Sequence, residues 1–176
     1  MTVGIEVRRL RQSDLLGGFR SREPKLDGYL KRYAKDNDAA RRSATWLALD
    51  EGRVAGFLTV VAGSVRAELL TGSLPELPRY PAPVLLLARM ATDKRWKGRG
   101  VGTRLVRTTF EAAVAQAEGF GCVGVFVDAK PGAVAFYAKL GFAVAEEPTH
   151  AESSTGMFMP LHEVESRLAA MIASHT

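Results

Sequence analysis

A single cysteine, Cys122, stands in 176 residues. No disulfide framework is open to such a chain. A thiol inside the apolar stretch Cys122–Asp128 is expected to be buried and inert. Histidine is scarce too: His150, His162 and His175 lie apart and reach no ligand spacing with cysteine or acids, so no metal site is expected. No apolar run reaches membrane-spanning length, and the start Met1-Thr2-Val3-Gly4-Ile5-Glu6-Val7 has no basic segment ahead of a long apolar one. The expected location is therefore cytoplasmic, with no membrane partner. Internal repeats and low-complexity segments are missing.

What remains is the composition of an ordinary globular protein, 47% hydrophobic and 24% charged, at a length that suits one domain over residues 1–176. The net charge of +5 suits an anionic ligand and permits nucleic acid without requiring it. Ile5–Leu10 reads as a first strand, and Ser13-Asp14 as the cap of a short helix. Leu26, Leu30, Tyr33 and Ala34 make the stripe of a second helix, roughly Leu26–Arg42. Trp46–Leu49 and Val54–Val61 read as strands joined by a hairpin at Asp50-Glu51-Gly52. Residues 71–83 hold Pro75, Pro78, Pro81 and Pro83, too many for regular structure. A strand Val84–Thr92, a helix from Val101, strands at Cys122–Asp128, from Phe142 and at Met157–Pro160, and a terminal helix Leu161–Ser174 complete the chain. The expected fold class is α/β, a mixed, largely antiparallel sheet with helices on both faces.

The most informative segment is Arg95-Trp96-Lys97-Gly98-Arg99-Gly100-Val101-Gly102. It lies between a strand and an amphipathic stretch in which Val101, Leu105, Phe110, Val114 and Ala117 recur at helical spacing. Three glycines in five residues let the backbone approach a ligand, and the first free N–H groups of the helix form an anion site. Lys94, Arg95, Lys97 and Arg99 add positive charge. A Walker loop needs Gly-x-x-x-x-Gly-Lys-Ser/Thr, which is missing. A dinucleotide fingerprint starting at Gly98 needs a glycine where Thr103 stands. What is left is Arg-x-x-Gly-x-Gly at Arg95, Gly98 and Gly100. Farther on, Phe136-Tyr137-Ala138-Lys139-Leu140-Gly141-Phe142 follows a short apolar run, Asp128-Ala129-Lys130 and the punctuation Pro131-Gly132.

Both motifs, in this order, resemble the GNAT N-acetyltransferases. The resemblance implies the GNAT fold and acetyl-CoA as cofactor. It implies that the loop from Arg95 through Trp96, Lys97, Gly98, Arg99, Gly100, Val101 and Gly102 to Thr103 holds the pyrophosphate. It further implies that the Met90, Ala91 and Thr92 strand edge faces the acetyl group, and that Asp128, Ala133, Phe136 and Lys139 line the cofactor near its thiol. Tyr137 is then the catalytic residue, protonating the departing thiolate. A phenol of pKa about 10 keeps its proton at neutral pH and suits that role.

The front half narrows the likeness. Leu26-Asp27-x-Tyr29-Leu30-x-x-Tyr33-Ala34, Thr45-Trp46, Val54-Ala55-Gly56-Phe57 and Leu77-Pro78-Arg79-Tyr80-Pro81 are similar to the TacT/AtaT-type GNAT toxins, as are Leu87-Ala88-Arg89-Met90-Ala91-x-Asp93 and the late Met157-Phe158-Met159-Pro160-Leu161. One departure lies in Phe19–Lys25, where many of those toxins carry a cysteine and this chain has none. The resemblance implies a toxin that acetylates the α-amine of aminoacyl-tRNA and blocks translation, a homodimer, and a ribbon-helix-helix antitoxin as partner. Lys31, Arg32, Arg41, Arg42 and Arg79 are the expected tRNA-binding residues. No dedicated base is apparent. A lysine amine, pKa about 10.4, would need one more than an α-amine at about 7.7–8.0. The alternative, a housekeeping acetyltransferase acting on a small-molecule or peptide amine, stays open on the sequence.

Overall fold

The computed structural model describes residues 4–76, 79–150 and 152–174. Met1–Val3, Leu77, Pro78 and His175 of the sequence reading lie outside the described residues. Seven strands among those described form one sheet: β1 (Ile5–Arg9), β2 (Ala44–Asp50), β3 (Arg53–Val65), β4 (Ala82–Thr92), β5 (Gly124–Ala129), β6 (Ala143–Glu146) and β7 (Thr155–Pro160). Their spatial order is β1-β2-β3-β4-β5-β7-β6. The helices are α1 (Pro24–Arg32), α2 (Ala34–Ala39), α3 (Val101–Gly119), α4 (Val134–Leu140) and α5 (Leu161–Ala173). β4 runs parallel to β5, Leu85–Leu87 against Val125–Val127. A parallel pair needs a crossover, and α3 supplies it. The pairs β1–β2, β2–β3, β5–β7 and β6–β7 are antiparallel. The mixed, mainly antiparallel sheet expected from the sequence is present. No helix among the described residues is long and apolar enough to cross a membrane.

The chain forms two compact units, Met1–Val61 with Ala88–Thr109, and Ala62–Leu87 with Phe110–Thr176. β3, β4 and α3 each pass from one into the other. In the first, α1 lays Tyr29 and Leu30 against Phe19, Leu47 and Phe57. Deep in its sheet, the Thr45 and Thr59 hydroxyls satisfy each other at 2.7 Å, as buried polar groups require. In the second unit, Val125, Phe126 and Val127 are buried in succession, the pattern of a strand covered on both faces. A core of Leu70, Val84, Phe126 and Phe158 forms there. Cys122 is buried, and its Sγ donates to the Gly124 carbonyl at 3.2 Å.

Several expected boundaries move for identifiable reasons. No helix begins at Ser13-Asp14. The Asp14 carboxylate instead takes the Arg8 guanidinium at 2.7 and 3.0 Å and the Arg11 amide at 2.7 Å. The long second helix is two helices, with Tyr33 between them at φ −120°. It stops at Ala39, short of Arg42, because the Asp38 carboxylate is drawn to the Arg9 guanidinium and the Thr45 amide, and Arg41 turns left-handed at φ 58°. β3 extends to Val65, and β5 begins two residues after Cys122. A 3-10 turn at Ala67–Leu70 precedes the proline segment, which has an isolated bridge from Thr71 to Leu74, and β4 starts inside that segment at Ala82 and takes in Pro83, two residues earlier than expected.

Gly56 fixes how closely α3 meets β3. A Cβ there would stand 2.7 Å from Val101 Cγ1, 3.1 Å from the Ala91 carbonyl and 3.2 Å from Leu105 Cδ1. Gly56→Ala should therefore cost about 1–3 kcal/mol, as overpacking does, and lower the melting temperature by roughly 2–4 °C per kcal/mol. Gly119→Ala, where a Cβ meets nothing within 4 Å, should leave it unchanged or raise it. Thermal unfolding of both variants checks this.

Candidate functional site

In the first unit β4 ends at Met90, Ala91 and Thr92, all half-buried, and the chain turns at Asp93. Asp93 has 1% of its surface exposed, yet its carboxylate is fully used. It accepts from the Arg95 amide at 2.9 Å, the Arg20 amide at 2.9 Å, and Arg95 Nε and Nη2 at 3.0 Å each. Burial pushes the Asp93 carboxyl up, but these donors and the Arg95 charge outweigh it and hold the pKa at about 2. The Asp93 amide donates to the Ala55 carbonyl, and the Lys94 amide to the Arg20 carbonyl, both at 2.9 Å. Spacing alone did not reveal this residue. The available signal was an Asx cap followed two positions later by arginine.

The 3-10 turn Lys94–Trp96 follows. The Trp96 indole is buried and donates Nε1–H to Asp50 Oδ2 at 2.7 Å. The Arg53 and Arg95 guanidinium carbons lie 5.0 and 4.9 Å from its ring centroid. Trp96 thus anchors the loop to the β2–β3 hairpin and presents no face to a ligand. Arg95 is held as well, by Asp93, Trp96 and the Gly18 carbonyl, which it meets at 3.1 Å.

The loop amides fall into two sets. Those of Arg95, Trp96, Lys97 and Arg99 donate within the turn, to Asp93 Oδ1 and to the carbonyls of Asp93, Lys94 and Trp96. Gly98 and Gly100 sit at φ 76° and 78°, a conformation that disfavours side chains. They swing the backbone so that α3 begins at Val101 with the Val101, Gly102 and Thr103 amides at its open end. The Arg104 amide donates to the Gly100 carbonyl at 3.1 Å. Lys94, Lys97, Arg99 and Arg104 are exposed and carry no ion pair among the described residues. Free amides and free cations at one helix start fit a pyrophosphate.

Lys31, Arg32, Arg41 and Arg42 belong to the same unit and are all exposed. Arg42 Nη1 donates to Asn37 Oδ1 at 3.4 Å. Arg89, not singled out by the sequence, lays its guanidinium 3.9 Å from the Tyr29 ring centroid.

In the second unit, the segment after β5 enters a 3-10 turn at Pro131–Ala133 and then α4. Gly141 at φ 108° closes α4, with the Phe142 amide donating to the Tyr137 carbonyl at 3.1 Å. A glycine in the left-handed conformation is a common helix C-cap. Tyr137 is buried, its ring set edge-on to Phe136 at 5.2 Å and to Phe142 at 5.4 Å. Burial drives its phenol pKa above the ordinary tyrosine range, so the group keeps its proton at any working pH. The phenol makes no hydrogen bond to the described residues. Asp128 and Lys139 are exposed, and Ala133 and Phe136 half-buried. The Asp128 carboxyl is raised by burial and by the Glu146 charge. Arg79 is exposed and belongs to this unit too. Among the described residues no group of three His, Cys, Asp or Glu could hold a metal.

A model of the acetyltransferase (GNAT) family matches residues 6–142. A tRNA-acetylating toxin of Mycobacterium tuberculosis (strain ATCC 25618 / H37Rv) is 34% identical over 145 residues, covering 81% of this chain and 87% of the relative. Among solved structures, AtaT complexed with acetyl-methionyl-tRNAfMet superposes with a TM-score of 0.77 at 22% identity, covering 93% of this chain and 98% of that one. A mutant AtaT toxin bound to the C-terminus of the antitoxin AtaR and to acetyl-CoA gives a TM-score of 0.74 at 22% identity, covering 93% and 97%.

Two outcomes follow from this geometry. In Gly100→Val a β-branched residue must take φ 78°. The strain should weaken acetyl-CoA binding about tenfold or more, and unchanged affinity by calorimetry would refute the placement of the phosphates. Asp93, depressed in the folded state, stabilises it fully above the unfolded carboxyl pKa and loses that contribution as pH falls through about 2. Asp93→Asn should thus be less stable than the native chain by about 2 kcal/mol at pH 6. Denaturant titrations between pH 6 and pH 2 should show the gap narrowing toward acid.

Proposed function

The chain belongs to the acetyltransferase (GNAT) family, an acetyl-CoA-dependent class of enzyme, and from that premise we propose that it acetylates the α-amine of aminoacyl-tRNA and blocks translation as a toxin. The observation that carries this reading is the 34% identity to a tRNA-acetylating toxin across 87% of that protein. Likeness to AtaT in fold supports it. So does the exposed basic set Lys31, Arg32, Arg41, Arg42 and Arg79, since phosphate contacts supply most of the affinity for nucleic acid.

Acetyl-CoA supplies a thioester acyl group and a thiolate leaving group. On this reading the Gly98, Gly100, Val101, Gly102 and Thr103 amides bind its pyrophosphate, and the Lys97 and Arg99 side chains reinforce them. Arg95 and Trp96 act one step removed, by holding the loop in shape. Backbone N–H groups of Met90, Ala91 and Thr92 orient the acetyl carbonyl and stabilise negative charge developing on its oxygen. Asp128, Ala133, Phe136 and Lys139 line the donor toward its thiol. Tyr137 delivers the phenol proton to the thiolate sulfur as the carbon–sulfur bond breaks. Its raised pKa keeps the proton available, and its unpartnered hydroxyl is free to donate it. The attacking amine enters as the free base. An α-amine near pKa 8 reaches that form without a strong protein base, which agrees with a site whose principal ionisable group is an acid. A cytoplasmic homodimer held in check by a ribbon-helix-helix antitoxin completes the proposal.

Labelled acetyl-CoA incubated with total charged tRNA, and separately with deacylated tRNA, tests the reading. Label is expected in the charged pool alone, and Tyr137→Phe should slow its entry by about 10²–10⁴, the usual worth of a positioned acid. Label entering a polyamine or an aminoglycoside, with none in charged tRNA, would overturn the toxin reading in favour of a small-molecule acetyltransferase.

A further inference from the structure

Four aromatic rings of the first unit form a column that leads from core to surface. Phe19 meets Phe57 edge-on at 5.6 Å. Phe57 is stacked with Tyr29 at 6.4 Å and 23°, and Tyr29 with Tyr33 at 6.3 Å and 30°. Phe57 is fully buried and Tyr29 is 7% exposed, but Tyr33 is 56% exposed. Tyr33 is one of several exposed large apolar side chains, but it is stacked on a buried ring, so one edge of the column is fixed and the other is open. The helix break at Tyr33 presents it.

The surroundings are cationic. The Arg89 guanidinium lies over the Tyr29 ring. Arg32 folds back along α1, its guanidinium 3.8 Å from the place a Cβ on Gly28 would occupy. Asn37 Nδ2 donates to the Tyr29 hydroxyl at 3.3 Å, and Arg42 Nη1 donates to Asn37. Neither these arginines nor Lys31 has an ion pair among the described residues. An exposed ring with cations that lack an ion pair close by, Arg32 next to it in sequence, Arg89 on the Tyr29 ring it stacks with and Arg42 on Asn37, offers what single-stranded nucleic acid requires: a π-face for a base and charge for the backbone. A protein partner with an apolar segment would leave those cations unanswered.

We propose that Tyr33, backed by Tyr29 and flanked by Arg32, Arg42 and Arg89, is a stacking platform for an unpaired base of the single-stranded acceptor terminus of tRNA. The inference rests on the aminoacyl-tRNA reading and adds to it a base-recognising residue. The column pre-orders Tyr33, so stacking a base on it immobilises little that is not already fixed.

The test uses the full chain and two probes at one salt concentration: a short single-stranded RNA carrying 2-aminopurine, and a blunt RNA hairpin of the same length closed by a non-nucleotide linker, so that it has no unpaired base. The single strand should bind with quenching of the 2-aminopurine. Tyr33→Ala should remove the quenching and weaken that binding about tenfold, Tyr33→Phe should keep both, and the hairpin should bind both variants alike. The platform is overturned if the native chain does not quench, if Tyr33→Ala still quenches and binds equally, or if the hairpin is lost in step with the single strand. The two readings fail separately. Tyr33→Ala acetylating charged tRNA at the native KM sinks the platform and leaves the toxin reading intact. Tyr33-dependent quenching with no acetylation of any charged tRNA sinks the toxin reading and leaves a nucleic-acid surface.

Discussion

The Asp93 carboxylate is the constraint on which the first unit's ligand loop depends. A charge taken out of water costs several kcal/mol unless it is paired and hydrogen-bonded. Here it receives two backbone amides and both arms of the Arg95 fork. Those bonds join two segments distant in sequence, the approach to α1 at Arg20 and the turn that leads from β4 to α3. The Arg20 carbonyl in turn takes the Lys94 amide, and the Ala55 carbonyl takes that of Asp93. With the turn fixed in this way, Gly98 and Gly100 inherit their left-handed backbone and α3 starts with its amides clear.

That arrangement divides the work between groups that hold and groups that bind. Arg95 opens the motif and looks like a phosphate ligand, but its side chain is engaged with Asp93, Gly18 and Trp96. Trp96 is likewise turned inward onto Asp50. On the proposed reading, what meets the pyrophosphate is chiefly main chain. A backbone cradle needs little of the side chains around it beyond glycine at two positions and a stable turn. Such a cradle can therefore tolerate wide change in the side chains around it.

The parts legible in the sequence were those governed by local rules. Glycine at positive φ marked the loop and the end of α4. Apolar periodicity marked α3 and the buried β5. The spacing of Leu26 and Leu30 marked α1. What was not legible depended on partners far along the chain. Asp14 resembles a helix cap until Arg8 is seen to claim it. The segment Asp36-Asn37-Asp38 continues a helix on paper, yet Arg9 and the Thr45 amide draw Asp38 away. Asp93 stood in the sequence only as part of a family-like segment, because nothing local shows that the Arg20 amide closes over it. The place of Arg89 against Tyr29, far from it in sequence, was likewise not legible.

The lone thiol has a bearing on how such an enzyme coexists with its own product. Each turnover of acetyl-CoA leaves a free mercaptan beside the protein, and oxidation of that mercaptan yields disulfides able to cap protein cysteines. Exchange requires an accessible sulfur in its thiolate form. Cys122 is neither: burial raises its pKa, and its S–H is directed at the Gly124 carbonyl. The one thiol of the chain is thereby shielded from S-thiolation by the by-product the reaction generates.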